Sequence, residues 1–133
     1  MVALTQDRDT PSRAGRDFEI QAAPSLTFYA GGILALNAAG LGTPGATATT
    51  LKPLGRIKER VVTNATDAVN VRFERGVFRY ANSTAGDLIT AADIGSSAWM
   101  VDDQTVAKTN GSNTRSVAGI IRAVDALGVW VEF

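Results

Sequence analysis

The stretch Val69 to Tyr80, V-N-V-R-F-E-R-G-V-F-R-Y, constrains this chain more than any other. Val69, Val71 and Phe73 alternate with Asn70, Arg72 and Glu74, the period-2 signature of a strand with one face buried. After Gly76 the bulky residues change phase, with Phe78 and Tyr80 flanking Arg79. A phase slip at a glycine reads either as a β-bulge or as a tight Arg75-Gly76 hairpin turn. Either way the stretch predicts a long, twisted β-element at the centre of the chain.

The flanking sequence extends the β reading. Phe18, Ile20 and Ala22 alternate with Asp17, Glu19 and Gln21, predicting a strand that stops at Pro24. Leu26 and Phe28 begin a second, broken by Gly31-Gly32. Ile33 to Leu36 is apolar throughout, as expected of a strand buried on both faces. Asn37 to Thr50 reads as a long Gly-, Ala- and Thr-rich loop, and Leu54 to Val62 as a half-exposed strand. Asn64 to Ala68 and Asn82 to Gly86 are turns. Thr90 to Gly95 predicts one helical turn, with Thr90 as N-cap, Asp93 reaching back, and Gly95 closing it.

Ala98 to Val101 is the next strand, followed by a turn at Asp102-Asp103. Val106-Ala107 leads to Asn110-Gly111, a strong hairpin signal in a loop running to Ser116, with Val117 to Val124 as the return strand. Asp125 to Gly128 turns into a last strand, Val129 to Phe133. Roughly seven to nine short strands with frequent glycine turns predict an all-β fold, a small barrel or sandwich.

At 133 residues the chain suits one β-rich body, residues 17–133, preceded by an arm, residues 1–16. The arm is polar, mixed in charge and broken by Pro11 and Gly15. Such a segment buries too little apolar surface to offset an ordering cost of about 1–2 kcal/mol per residue. It is therefore expected to be mobile alone and to order against another chain, with a reach of roughly 50 Å. It shows no secretory signal, and no apolar run in the chain approaches the ~20 residues needed to cross a bilayer. A soluble protein made in the cytoplasm, with no membrane partner, is the expectation.

Thirteen basic residues balance thirteen acidic ones, and there is neither Cys nor His. Charge balance gives no global pull toward phosphate backbones. The missing His removes the commonest general base and metal ligand, and the missing Cys removes disulfides and thiolate sites. G-L-G-T-P-G, Gly40 to Gly45, matches a dinucleotide fingerprint in letters only. That motif requires a helix opening at its glycines, and here the chain runs into Ala-Thr-Ala-Thr-Thr and Pro53. Asp102-Asp103 cannot act as an acid/base pair on a strand, where neighbours point to opposite faces, so the two read as turn formers. No catalytic, cofactor-binding or metal-binding residue is expected, and the chain is not expected to be an enzyme.

Two groupings remain. Arg72, Arg75 and Arg79 form the densest basic cluster, with Arg8, Arg13 and Arg16 on the arm. Trp99 and Trp130 lie on late strands, where core packing is the simpler expectation. Exposed aromatics among arginines would make a stacking platform for single-stranded nucleic acid, the alternative function.

L-I-T-A-A-D-I-G-S-S-A-W-M-V-D-D-Q-T-V and R-S-V-A-G-I-I-R-A-V-D-A-L-G-V-W-V-E-F resemble the head-decoration (capsid cement) proteins of tailed bacteriophages. K-P-L-G-R-I-K-E-R-V, Glu74 to Phe78, and the polar arm followed by a strand fit the same pattern, so the resemblance covers nearly the whole chain. It implies a structural role on the virion capsid, with the protein made in the bacterial host cytoplasm. It also implies a homotrimer, the major capsid protein as partner, and no direct nucleic-acid contact. Arg8, Arg13, Arg16, Arg72, Arg75 and Arg79 are then the expected capsid or subunit contacts.

Overall fold

A computed structural model describes residues 2–13 and 15–133. Met1 and Ala14, both within the predicted arm, lie outside the described residues. The chain from Asp17 forms β1 (Asp17–Gln21), β2 (Thr27–Phe28), β3 (Ile33–Leu36), β4 (Gly42–Pro44), β5 (Lys52–Ile57) and β6 (Val61–Val62). These are followed by β7 (Asn70–Glu74), β8 (Val77–Tyr80), β9 (Ser97–Met100), β10 (Val106–Ala107), β11 (Val117–Asp125) and β12 (Gly128–Glu132). Among the described residues they make two five-stranded sheets, ordered β1-β7-β5-β3-β4 and β10-β9-β11-β12-β8, and a two-stranded pair, β2-β6. Every ladder between named strands is antiparallel. The fold is all-β and sandwich-like; the barrel alternative does not hold, because the sheets do not close.

Strand β3 sits between two cores, as its unbroken apolar run predicts. Ile33 and Ala35 join Met100, Val106, Ile121, Val129 and Val131 of the second sheet. Leu34, on the opposite face, joins Phe28, Ile57, Val71 and Phe73. Ile33, Leu34 and Ala35 are all fully buried. Burying an Ile or Leu side chain contributes about 1.5–3 kcal/mol, so this short strand is disproportionately stabilising.

The Val69–Tyr80 element is neither a bulged strand nor a hairpin. Strand β7 pairs with β1 and β5 in the first sheet, whereas β8 pairs with β12 in the second. Arg75-Gly76 is the corner where the chain changes sheets. The phase change accompanies the change of sheet: Val71 and Phe73 pack in the layer of Leu34, whereas Phe78 and Tyr80 pack in the layer of Ile33 and Ala35.

Other expectations change in detail. Leu54 to Val62 divides into β5 and β6, which belong to different sheets. The Asn37–Thr50 loop contains a strand, β4. Asn37 closes the turn before it by accepting the Ala39 and Leu41 N–H groups through Oδ1, at 2.9 and 3.0 Å. Asn110-Gly111 turns the chain, but β10 and β11 do not pair with each other, because β9 lies between them. The helical turn is a 3₁₀ turn, Ala91–Asp93, in which the Asp93 carboxylate accepts the Thr90 N–H at 2.9 Å. A second 3₁₀ turn, Ala85–Asp87, precedes it.

At Gly55 and Gly119 neighbouring strands approach closely enough to require glycine. A Cβ at Gly55 would lie 2.2 Å from the Glu74 carbonyl oxygen, and one at Gly119 would lie 2.2 Å from that of Glu132. Both contacts are to backbone, which cannot swing aside as a side chain can.

Candidate functional site

The second sheet buries one face and presents the other, and its alternation decides which residues are presented. In β12, Val129 and Val131 point into the core while Trp130 and Glu132 point away. In β9, Ala98 and Met100 are buried and Trp99 lies on the opposite face. Registry then assembles the outer face in rows: Arg79 beside Trp130 beside Ala123, and Val77 beside Glu132 beside Ile120. Trp99 lies beside Val117. Both tryptophans are half-buried, so the expectation that they pack in the core is corrected. The buried aromatics are instead Phe28, Phe73 and Tyr80.

Trp130 is the best-held residue of this face. Its Nε1–H donates to Asp125 Oδ2 at 2.9 Å, and the Arg79 guanidinium stacks 5.5 Å from its ring centre. Arg79 also lies 3.7 Å from the Asp125 carboxylate. The bond from Trp130, followed by the backbone N–H of Leu127, holds Asp125 below the usual carboxylate range. Arg122 and Glu132 form an ion pair on the same sheet. The result is an outer face on which Trp99, Val117, Ile120, Ala123 and Trp130 are apolar, with Glu132, paired to Arg122, standing between Ile120 and Val77. Aromatics and Arg are the side chains most enriched where protein partners bind tightly.

The arginines expected to act together are dispersed. Arg8 is exposed on the arm. Arg13 stacks on Phe18 at 4.6 Å and, with Arg72, borders an open cleft of about 450 Å3. Arg16 hydrogen-bonds Glu74, and its carbonyl accepts the Arg75 N–H at 2.8 Å. Arg72 and Arg75 thus belong with the first sheet. Arg79 belongs to the second, so the Arg72/Arg75/Arg79 cluster is not one surface.

The fold gathers a different set. Arg56 stacks on Phe78 at 5.0 Å, and Arg60 on Tyr29 at 5.4 Å. Two adjoining clefts, of about 560 and 420 Å3, share Gly31, Arg79 and Tyr80; Arg56 lines the smaller, and Arg60 stacks on Tyr29 in the wall of the larger. Tyr80 is fixed there by its hydroxyl, which donates to the Gly31 carbonyl at 3.0 Å, and burial pushes its pKa up. Burial, with Asp102 alongside, also raises the pKa of Asp103 in the larger cleft. These residues are distant in sequence, and only the sheet crossing at Gly76 brings them together.

No three His, Cys, Asp or Glu side chains converge as metal ligands among the described residues, and no helix there is long and apolar enough to cross a membrane. Comparison with family models, curated proteins and solved structures finds no match.

Proposed function

We propose that this chain is a structural protein that decorates and stabilises a bacteriophage capsid. It acts as a homotrimer that grips the major capsid protein on the assembled virion. The observation that carries the reading is the outer face of the second sheet, where Trp99 and Trp130 stand half-exposed on a rigid β-scaffold. Rigid aromatic anchors lose little entropy on docking, which suits a protein whose work is adhesion. The sequence resemblance described above supplies the identity of the partner.

Several modest contacts per oligomer reinforce one another through effective concentration. Decorating copies that bind only the expanded lattice stabilise it by mass action. The arm, exposed through residues 2–13, offers a second contact beyond the sheet face.

The test is occupancy on expanded shells stripped of decoration. Wild-type protein is expected to bind saturably and raise the temperature at which shells rupture. Trp99→Ser with Trp130→Ser is expected to abolish both effects while the circular dichroism of the β-body is retained. Undiminished binding by that double variant would discard the face as the contact. Failure of the wild type to bind any shell, with salt-dependent binding to single-stranded DNA instead, would favour the nucleic-acid alternative.

A further inference from the structure

The second sheet ends at β8, and that edge is only partly used. Phe133 N–H donates to the Gly76 carbonyl at 2.8 Å, which fixes the alternation of the β8–β12 ladder. Gly76, Phe78 and Tyr80 turn their backbone groups toward β12, so Val77 and Arg79 turn theirs the other way. Ala81, next in the outward series, is satisfied: its N–H donates to Gln104 O at 2.8 Å and its carbonyl accepts from Val106 N at 3.0 Å. The same row continues along Arg79 and Val77, and among the described residues β8 has no strand neighbour there. Beside it lies the 420 Å3 cleft, walled by Gly31, Arg56, Phe78, Arg79, Tyr80 and Trp130.

We propose that this slot is a strand-addition site for an extended, carboxylate-bearing segment of a partner protein. The segment pairs its backbone with Val77 and Arg79 and sets its acidic side chains against Arg56 and Arg79. Main-chain bonds supply affinity in this mode of recognition, and the side chains along the groove supply choice. Charge selects the occupant: Arg56 and Arg79 line the 420 Å3 cleft, no carboxylate is among its lining residues, and their own partners, Glu74 and Asp125, stand outside it. A second copy offering its own β8 edge would bring a second Arg56 and Arg79 to the same slot, whereas an acidic strand meets complementary charge. The site adjoins the tryptophan face and shares Val77, Arg79 and Trp130 with it, but it uses the β8 edge rather than the outer surface of the sheet, and it does not depend on what larger assembly the partner belongs to.

The experiment is a titration of the isotope-labelled full chain, followed by amide resonances. The probe is a blocked hexapeptide of alternating Glu and Val, with its Lys–Val counterpart, a thymidine oligonucleotide, and a peptide of this chain's own residues 2–10 as competitors. The Glu–Val peptide is expected to shift the Val77 and Arg79 amides and slow their exchange, and the Lys–Val peptide to bind at least about tenfold more weakly. Val77→Pro removes one outward N–H without touching the β12 ladder, and is expected to abolish binding at unchanged Tm. Arg79→Glu, a second variant should the first misfold, is expected to weaken binding about tenfold. Unmoved Val77 and Arg79 amides, equal binding of the Lys–Val peptide, or displacement by the oligonucleotide would overturn the proposal. Tighter binding of the residue 2–10 peptide would overturn it in favour of a second copy.

Discussion

Glu74 on β7 and Arg56 on β5 face each other across the ladder, with Arg56 Nε 3.0 Å from Glu74 Oε1. Arg16, where the arm joins the body, reaches the other carboxylate oxygen at 3.3 Å. Glu74 is only 5% exposed, whereas both arginines keep contact with water. One buried carboxylate therefore fastens the arm to the first sheet, and fixes the arginine that stacks on Phe78.

Replacing Glu74 by Gln should lower stability by roughly 1–2 kcal/mol. Loss of one partner of a fully buried pair costs about 3–5 kcal/mol, and the solvent contact of Arg16 and Arg56 reduces that here. For a chain of this size the Tm should fall by about 3–8 °C in calorimetry. An unchanged Tm would mean that the three groups contribute nothing net.

The same pair predicts an acid response. Burial pushes Glu74 up, but hydrogen bonds from Arg56 and Arg16 outweigh it and hold the group below its ordinary 4.5. A carboxylate depressed in the folded state contributes fully above its unfolded pKa. That contribution is lost as pH falls through the folded value. The stability gap between wild type and Glu74→Gln should accordingly be constant near neutrality and shrink below about pH 4.5. Denaturant midpoints measured across that range check it; a gap that widens toward acid would reverse the assignment.

Gly55→Ala should destabilise by about 1–3 kcal/mol or more, because the new methyl meets the Glu74 carbonyl and β5 and β7 must separate. Faster hydrogen exchange in β7 should accompany the loss. Exchange altered only at the substituted residue would show that the ladder absorbs the methyl.

Tyr80→Phe removes the hydroxyl that donates to Gly31 and leaves that carbonyl without its partner. The expected cost is about 0.5–1.5 kcal/mol by urea denaturation, with the far-ultraviolet spectrum unchanged. A variant as stable as wild type would indicate that water replaces the bond.

The strands with clean alternation or unbroken apolar runs were legible from residues alone. Phe18 and Ile20 announce β1, Ile33 to Leu36 announce β3, and Val129 to Val131 announce β12. Partner choice was not legible. The period of a strand says which face is buried but not which sheet it joins, so Val69 to Tyr80 reads as one element although it serves two. Asn110-Gly111 specifies a turn and nothing about whether its flanking strands meet. The tryptophans misled for a related reason: an alternating strand has two faces, and Val129 and Val131 claim the core face, leaving Trp130 the other. The Arg72/Arg75/Arg79 cluster was close in sequence and divided in space, whereas Arg56, Arg60 and Arg79 converge from separate strands and turns. The hairpin bond from Trp130 to Asp125 was within reach, because a four-residue turn brings those two positions together.

Because Leu34 belongs to one apolar layer while Ile33 and Ala35 belong to the other, the two layers share a structural keystone and neither can come apart alone. Unfolding should be all-or-none, with β3 amides the last to exchange. Strand β1 must also wait for β7, some fifty residues later, before it gains a partner. Such non-local pairing makes for slow assembly and, once complete, a body that resists piecemeal loosening.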